Sequence, residues 1–249
     1  VKESGNLALS TFRGGTRAAI KLVYYKPIEN TNFSEFQEQL LKRIESGRKK
    51  EEFSPFDIYN LVPDNKRSAK SGSYNISNQL FNQNLISFLR NTKKELLVFT
   101  GNCSFVNLKE KDILLLNIFQ EIAERGVEIK ILSKVDFSSF KNLQKLLSIN
   151  YSLGKELIEV RHCEQPLRGF LTDDISLRLK EEIDPTSYVP GELNPELKVV
   201  LYDIRDREWV NWARDVFFRF FRTSISSQKR INDMRSIKNQ EVQSVLKFQ

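Results

Sequence analysis

His162 is the single histidine of the chain, and Cys163 follows it directly. An imidazole beside a thiol is the kind of pair that generates a nucleophile, the base taking the proton as the sulfur attacks. Successive residues of an extended strand point to opposite faces, so these two side chains diverge and no dyad forms. Cys103, the other cysteine, does not complete a zinc centre with them, because zinc usually takes four ligands in paired spacing. Any Ser/His/Asp arrangement would again depend on His162 alone. A Gly-rich phosphate loop is missing too, since the segment from Thr100 to Phe105 holds a single glycine, Gly101. The residues therefore predict no catalytic group, no metal and no cofactor.

The elements that must carry these residues alternate helix and strand. Leu80, Phe81, Leu85, Phe88 and Leu89 recur at helical spacing, Leu96 to Thr100 reads as a buried strand, Ile113 to Ala123 as a helix ended by Gly126, and Val127 to Leu132 as a second strand. That order implies a parallel pair joined by a right-handed crossover. Leu143 to Ile149 adds a helix, and Leu157 to Arg161, Leu167 to Thr172, Ser176 to Leu179 and Leu197 to Tyr202 add strands. The later strands are close enough for hairpins, so a mixed sheet is expected. A helix from Asp206 to Arg222 carries Trp209, Trp212, Ala213, Val216, Phe217, Phe218, Phe220 and Phe221, a surface wider than one core-facing stripe. Such a surface suggests burial on two sides, one of them another subunit. A basic helix from Ser226 to Lys238 follows.

Ahead of this region, Leu7 to Thr11 and Arg17 to Tyr25 are rich in β-formers, with Gly14 and Gly15 between them as a hairpin signal. Phe33, Phe36, Leu40, Leu41 and Ile44 make an amphipathic helical stripe between Thr31 and Gly47, and Arg48 to Glu52 reads as a solvated connector. Asp64 to Ser73, rich in Lys, Ser and Asn, reads as a mobile surface loop. Three regions are expected: a hairpin in residues 1–28, a linker helix in 29–52 and an α/β domain in 53–249.

With 249 residues, 40% of them hydrophobic and 29% charged, the chain can bury a core and is not disordered throughout. Its apolar runs fall far short of the roughly 20 residues of a membrane span, and two cysteines are too few for a secreted disulfide scaffold. A cytoplasmic protein without a membrane partner is expected. The chain opens on Val1 rather than Met, which reads as a processed or truncated piece. Charge is uneven: the first 50 residues hold ten cations against five acids, +5 of the net +7. A concentrated basic end favours a polyanion, with Arg13, Arg17 and Lys21 on the hairpin meeting the phosphates of double-stranded DNA.

One segment carries a resemblance. Glu159 to Asp174, following the strand, helix, strand unit, resembles the phospholipase D-like fold around its catalytic motif of His, any residue, Lys, four residues, Asp. Asp173 holds the Asp position, Arg168 stands at the Lys and Pro166 at the His. Phospholipase D chemistry uses that His as nucleophile, and proline can neither attack phosphorus nor carry a proton. The resemblance thus implies the fold without the activity. Degenerate domains of this kind, joined through a helix to a winged helix-turn-helix, occur in archaeal TrmB-type transcription regulators, which the chain resembles over roughly residues 77–225. The implied fold is α/β, a phospholipase D-like mixed sheet flanked by helices and preceded by a partial winged-helix hairpin and a linker helix. The implied function is a homodimeric, DNA-binding transcription regulator whose domain dimerises or senses a small-molecule effector such as a sugar. Effector contacts are expected past the strand ends, at Asn102, Ser104, Arg161, His162, Arg168, Asp173 and Asp174. A buried Arg168–Asp173 ion pair is the structural alternative. Two other functions stay open: a phosphodiesterase or nuclease using His162 with Asp173 or Asp174, and a non-catalytic protein-interaction scaffold.

Overall fold

The computed structural model describes residues 7–13, 19–25, 34–74, 84–110, 112–183 and 197–246. The chain divides into two compact units, Val1–Glu38 and Gln39–Gln249. In the first, β1 (Leu7–Arg13) and β2 (Ala19–Tyr25) pair antiparallel, from Leu7 opposite Tyr25 to Arg13 opposite Ala19. The expected hairpin is present, and its turn lies outside the described residues. α1 (Glu35–Ser46) begins here and belongs to the second unit from Gln39 onward. Its start is set by Ser34 and Gln37, each of which accepts the other's backbone N–H through its side-chain oxygen.

The second unit is built on strands β3 (Arg67–Tyr74), β4 (Glu95–Phe99), β5 (Lys109–Glu110), β6 (Ile113–Leu114), β7 (Glu128–Ser133), β8 (Ile158–His162), β9 (Gly169–Thr172), β10 (Ser176–Ile183), β11 (Leu197–Ile204) and β12 (Ile225–Ser226). β5 and β6 form a small ladder of their own. The other eight make one mixed sheet in the order β12-β8-β7-β4-β9-β10-β11-β3. β4, β7 and β8 run parallel, and every other junction is antiparallel. The helices after α1 are α2 (Phe56–Tyr59), α3 (Leu85–Arg90), α4 (Leu115–Glu124), α5 (Phe140–Leu153), α6 (Arg207–Thr223) and α7 (Ser227–Leu246). The chain is therefore the mixed α/β sheet flanked by helices that its pattern implies.

Side-chain alternation divides the strands between two faces. Leu96 and Val98 of β4, Ile129 and Ile131 of β7 and Ile158 and Val160 of β8 share one core with α3, α4, α5 and α7. Phe99 serves the other face, where its ring meets Phe217 of α6 edge to face at 5.1 Å. Asp206 caps α6 by accepting the N–H of Trp209, so the aromatic run is helical from its first turn. Trp209, Trp212, Phe217 and Phe221 are all buried within this one chain. Phe218 and Phe220 are half-buried, and α6 is tied to α1 through Arg219 and Glu45 at 2.5 Å.

Three expectations are corrected. Asp64 to Ser73 is not a mobile loop: most of it is β3, paired with β11 from Arg67 opposite Ile204 to Tyr74 opposite Leu197. Ser68 to Ser71 are exposed, so backbone pairing rather than an apolar rhythm makes this strand. Ile113 and Leu114 form β6 rather than the start of a helix, and α7 runs to Leu246. Among the described residues, no helix is long and apolar enough to cross a membrane.

Candidate functional site

Ligands of open α/β sheets usually sit beyond the carboxyl ends of the parallel strands. That end of this sheet collects the ends of β4, β7 and β8, the start of β9 and the end of β10. Just past β4, the Gly101 carbonyl accepts from the Lys134 N–H at 2.6 Å and the Ser133 hydroxyl at 3.0 Å. The Thr100 carbonyl accepts from the Gln165 amide at 3.2 Å. These bonds stitch β4 to β7 and to the segment after β8. Arg168 lies flat on Gly101, where a Cβ would stand 3.0 Å from its Nη2. Its Nη1 donates to the carbonyls of Gln165 at 2.9 Å and Leu167 at 2.7 Å. Burial lowers the guanidinium's pKa, and the neighbouring Glu182 and Glu51 oppose that effect.

The chain leaving α1 runs across this end as a strap. Gly47 contacts Pro166, Arg48 pairs with Glu164 at 3.8 Å, Lys50 pairs with Glu182, and the Ser54 hydroxyl donates to Glu181 at 2.5 Å. Burial works against the charge of Glu182, yet Lys180 and Lys50 hold its carboxyl down at about 2. Cations and acids at this end thus pair with one another. Nothing in the sequence marks Gly47 to Ser54 as more than a solvated connector, because its partners lie more than a hundred residues away.

His162 closes β8, and its Nδ1 accepts the Val135 N–H at 2.9 Å. The hydrogen of the neutral ring is therefore on Nε2. Burial, then Arg230 and Lys134, hold its pKa below the ordinary value, with Glu164 and Asp136 pulling the other way. With Nδ1 committed to a backbone donor, the imidazole is a positioning group for the loop after β7. Burial also pushes Cys163 up, and Cys103, buried beside Ser133 at 3.3 Å, is pushed up to about 12, so neither thiol is a ready thiolate. Among the described residues, no group of three or more His, Cys, Asp or Glu is placed to hold a metal ion.

The expected effector residues are not gathered in one place. Asn102 and Ser104 are exposed past β4, the Asn102 Oδ1 accepting the Ser104 N–H at 3.1 Å, and His162 and Arg168 stand at the same end of the sheet. Arg161 instead ties β8 to α6: its Nε meets Glu159 at 2.7 Å, its Nη1 donates to the Phe221 carbonyl at 2.9 Å, and its guanidinium lies 4.5 Å from the centre of the Phe221 ring. Asp173 and Asp174 lie at the opposite end of β9, about 16 Å along the strand from Arg168 at roughly 3.3 Å per residue. The Arg168–Asp173 ion pair does not form. The Asp173 carboxylate accepts the N–H groups of Lys93, Lys94 and Glu95 at 2.6, 2.7 and 3.0 Å, and Asp174 pairs with Arg214 at 2.6 Å. Both aspartates have left-handed backbone, with φ of 51° and 56°, in the turn between β9 and β10, a conformation Asp tolerates better than most residues. On the hairpin, Arg13 ends β1 and Lys21 stands opposite Thr11, whereas Arg17 lies outside the described residues.

No protein-family model and no curated protein matches the chain. Among solved structures it is similar to TrmBL2, an archaeal chromatin protein whose structure shows a mode of DNA binding, at 16% identity and a TM-score of 0.44 over 66% of this chain and 55% of that one. It is similar to Nuc, a phospholipase D family member from Salmonella typhimurium, at 11% identity and a TM-score of 0.45 over 65% and 98% of the two chains. It is also similar to NucT from Helicobacter pylori, at 14% identity and a TM-score of 0.43 over 65% and 99%. The chain spans about half the length of the archaeal chromatin protein.

Proposed function

We propose that the chain is a DNA-binding transcription regulator whose eight-stranded domain does no chemistry and acts as a dimerising or effector-responsive body. The observation that carries this reading is the charge of the hairpin. From Leu7 to Lys26 the chain holds four cations, Arg13, Arg17, Lys21 and Lys26, and no acid. Cations that neutralise DNA phosphates release condensed counterions, which makes binding favourable and steeply salt-dependent. A two-stranded ribbon is also narrow enough to follow a DNA groove. The commitment of His162 to Val135 supports the non-catalytic half of the reading.

The test is a gel shift of the full chain on DNA from upstream of its own gene, across a salt series, with an Arg13→Ala, Arg17→Ala double variant alongside. Site-selective binding is expected, with affinity falling steeply as salt rises and a shallower salt slope, by about 1 to 2, in the double variant. Absence of binding at low salt would remove the regulator reading. A two-fold dimer belongs to the same reading, because paired half-sites favour it; sedimentation equilibrium showing only monomer at micromolar concentration would remove that part. The phosphodiesterase reading requires His162 to let go of Val135. Turnover of bis(p-nitrophenyl) phosphate by the parent, lost in His162→Ala, would restore it.

A further inference from the structure

The end of the sheet remote from the strap holds a different arrangement. α3 stops at Arg90, and the turn into β4 passes through Asn91, Thr92 and Lys93. These four residues and Arg125, from the end of α4, line an open cavity of about 660 Å³, within the roughly 300 to 1,000 Å³ of small-ligand sites. No carboxylate is among the lining residues. Two contacts hold the guanidinium groups in place. Arg90 meets Glu121 through Nε at 2.8 Å and Nη2 at 2.9 Å, and Arg125 Nη2 donates to the carbonyls of Arg90 and Thr92, each at 3.0 Å. Arg125 is thus held through Nη2 by two carbonyls and through its charge by Glu121, and keeps its other N–H groups.

Among the described residues, the Asn91 amide and the Lys93 ammonium make no hydrogen bond or ion pair through their side chains. Thr92 is only 1% exposed, and its hydroxyl is buried without a hydrogen-bond partner. Such a group is rare in a folded chain. Two acids border the lining: Glu121 is paired with Arg90 and also attracts Arg125, and Asp173 is occupied by the backbone N–H groups of Lys93, Lys94 and Glu95. The lining side chains that keep free groups are therefore donor-rich: the Lys93 ammonium, the remaining N–H groups of Arg125 and the Asn91 amide, beside the buried Thr92. A neutral polyol needs donors and acceptors in similar number. An oxyanion needs donors alone.

We propose that this cavity binds a phosphate group, received by Lys93, Arg125 and Asn91 and carried either on a small phosphorylated molecule or on a nucleic-acid backbone. The test is isothermal titration of the full chain with inorganic phosphate at fixed ionic strength, beside Lys93→Gln and Thr92→Val. Saturable binding is expected in the parent, about tenfold weaker in Lys93→Gln, the loss that goes with one charge-assisted hydrogen bond. Thr92→Val keeps the side-chain volume and removes a buried hydroxyl, so the Tm is expected to hold or rise while phosphate binding stays within about twofold of the parent. No saturable heat in the parent, or an affinity in Lys93→Gln equal to the parent's, would overturn the proposal.

A second arm separates the two sources. Weaker duplex binding by Lys93→Gln on every sequence, with a shallower salt slope, assigns the phosphate to the nucleic-acid backbone. Unchanged duplex binding, with glycerol 3-phosphate binding more tightly than inorganic phosphate, assigns it to a small molecule. The first arm contains no DNA, so its failure leaves the regulator reading intact. Failure of the hairpin test likewise leaves the cavity intact.

Discussion

A Cβ placed on Gly47 would stand 3.0 Å from Cγ of Pro166 and 3.4 Å from the Arg43 carbonyl oxygen. The glycine lets the chain leaving α1 lie against the segment between β8 and β9, and the contacts of Lys50 with Glu182 and Ser54 with Glu181 follow from that approach. Gly47→Val forces either the proline ring or the strap to move. It is expected to cost about 1 to 3 kcal/mol and to lower the Tm by roughly 2 to 4 °C per kcal/mol, with faster proteolysis between Gly47 and Ser54. An unaltered Tm and cleavage rate would show that the strap is not pressed against Pro166.

Gly169 is a stricter case. A Cβ there would lie 2.2 Å from the carbonyl oxygen of Arg178, on the neighbouring strand β10. Backbone within a sheet does not yield as a side-chain tip does. Gly169→Ala is expected to lose more than about 4 kcal/mol, among the largest effects of a single substitution. Urea unfolding within about 1 kcal/mol of the parent would contradict the close approach of β9 and β10.

Asp173 joins the turn after β9 to the start of β4 through three backbone donors. Asp173→Ala leaves those donors without their acceptor and asks alanine to hold a φ of 51°. A loss of about 2 to 4 kcal/mol is expected. Asp173→Asn keeps an acceptor and tolerates the left-handed backbone, so about 1 kcal/mol is expected. Equal losses in the two variants by chemical denaturation would show that the carboxylate does not hold the turn.

Acidification should remove stability in two steps. The pKa of His162 in the fold lies below its ordinary 6.5, so on lowering the pH the unfolded chain takes up that proton first. Its contribution is therefore complete above about 6.5 and declines as pH falls through that value toward the folded one. Glu182 titrates at about 2 in the fold against an ordinary 4.5. Its contribution is complete above about pH 4.5 and is lost between there and 2, on the order of 2 kcal/mol once the exposure of Lys50 is discounted. His162→Asn offers an oxygen to the Val135 N–H and cannot titrate. Its urea midpoint is expected to stay flat from pH 7 to 5.5 while the parent's falls; parallel curves would refute the upper step. Lys50→Ala should shrink the lower step and spare the upper.

The parallel core of the sheet is legible in the sequence because strands buried on both faces concentrate apolar residues into runs, as in Leu96 to Phe99 and Ile131 to Leu132. α6 is legible from Asp206 followed by regularly spaced aromatics. β3 is not, because its strand character comes from β11, a partner more than a hundred residues away, and its exposed side chains follow no apolar rhythm. The candidate site divides the same way. His162 and Arg168 can be read as residues at strand ends, and both are at the carboxyl end of the sheet. Asp173 follows Arg168 by five residues, a spacing that a loop would fold together and that the extended strand β9 holds apart. The strap over Pro166 and the cavity beside Lys93 depend on contacts between segments distant in the chain.

The borders of the eight-stranded sheet carry a consequence for how copies of the molecule meet. One border is β12, only two residues long, which pairs with Arg161 and His162 and turns at once into α7. The other is β3, where the exposed Ser68, Lys70 and Ser71 give no apolar row and Arg67 is engaged by Asp64 and Tyr59. A long, flat, apolar border invites another chain to add a strand and begins fibrous aggregation. Here one side is too short to act as a template and the other is polar, so edge-to-edge strand addition between molecules is disfavoured at both borders.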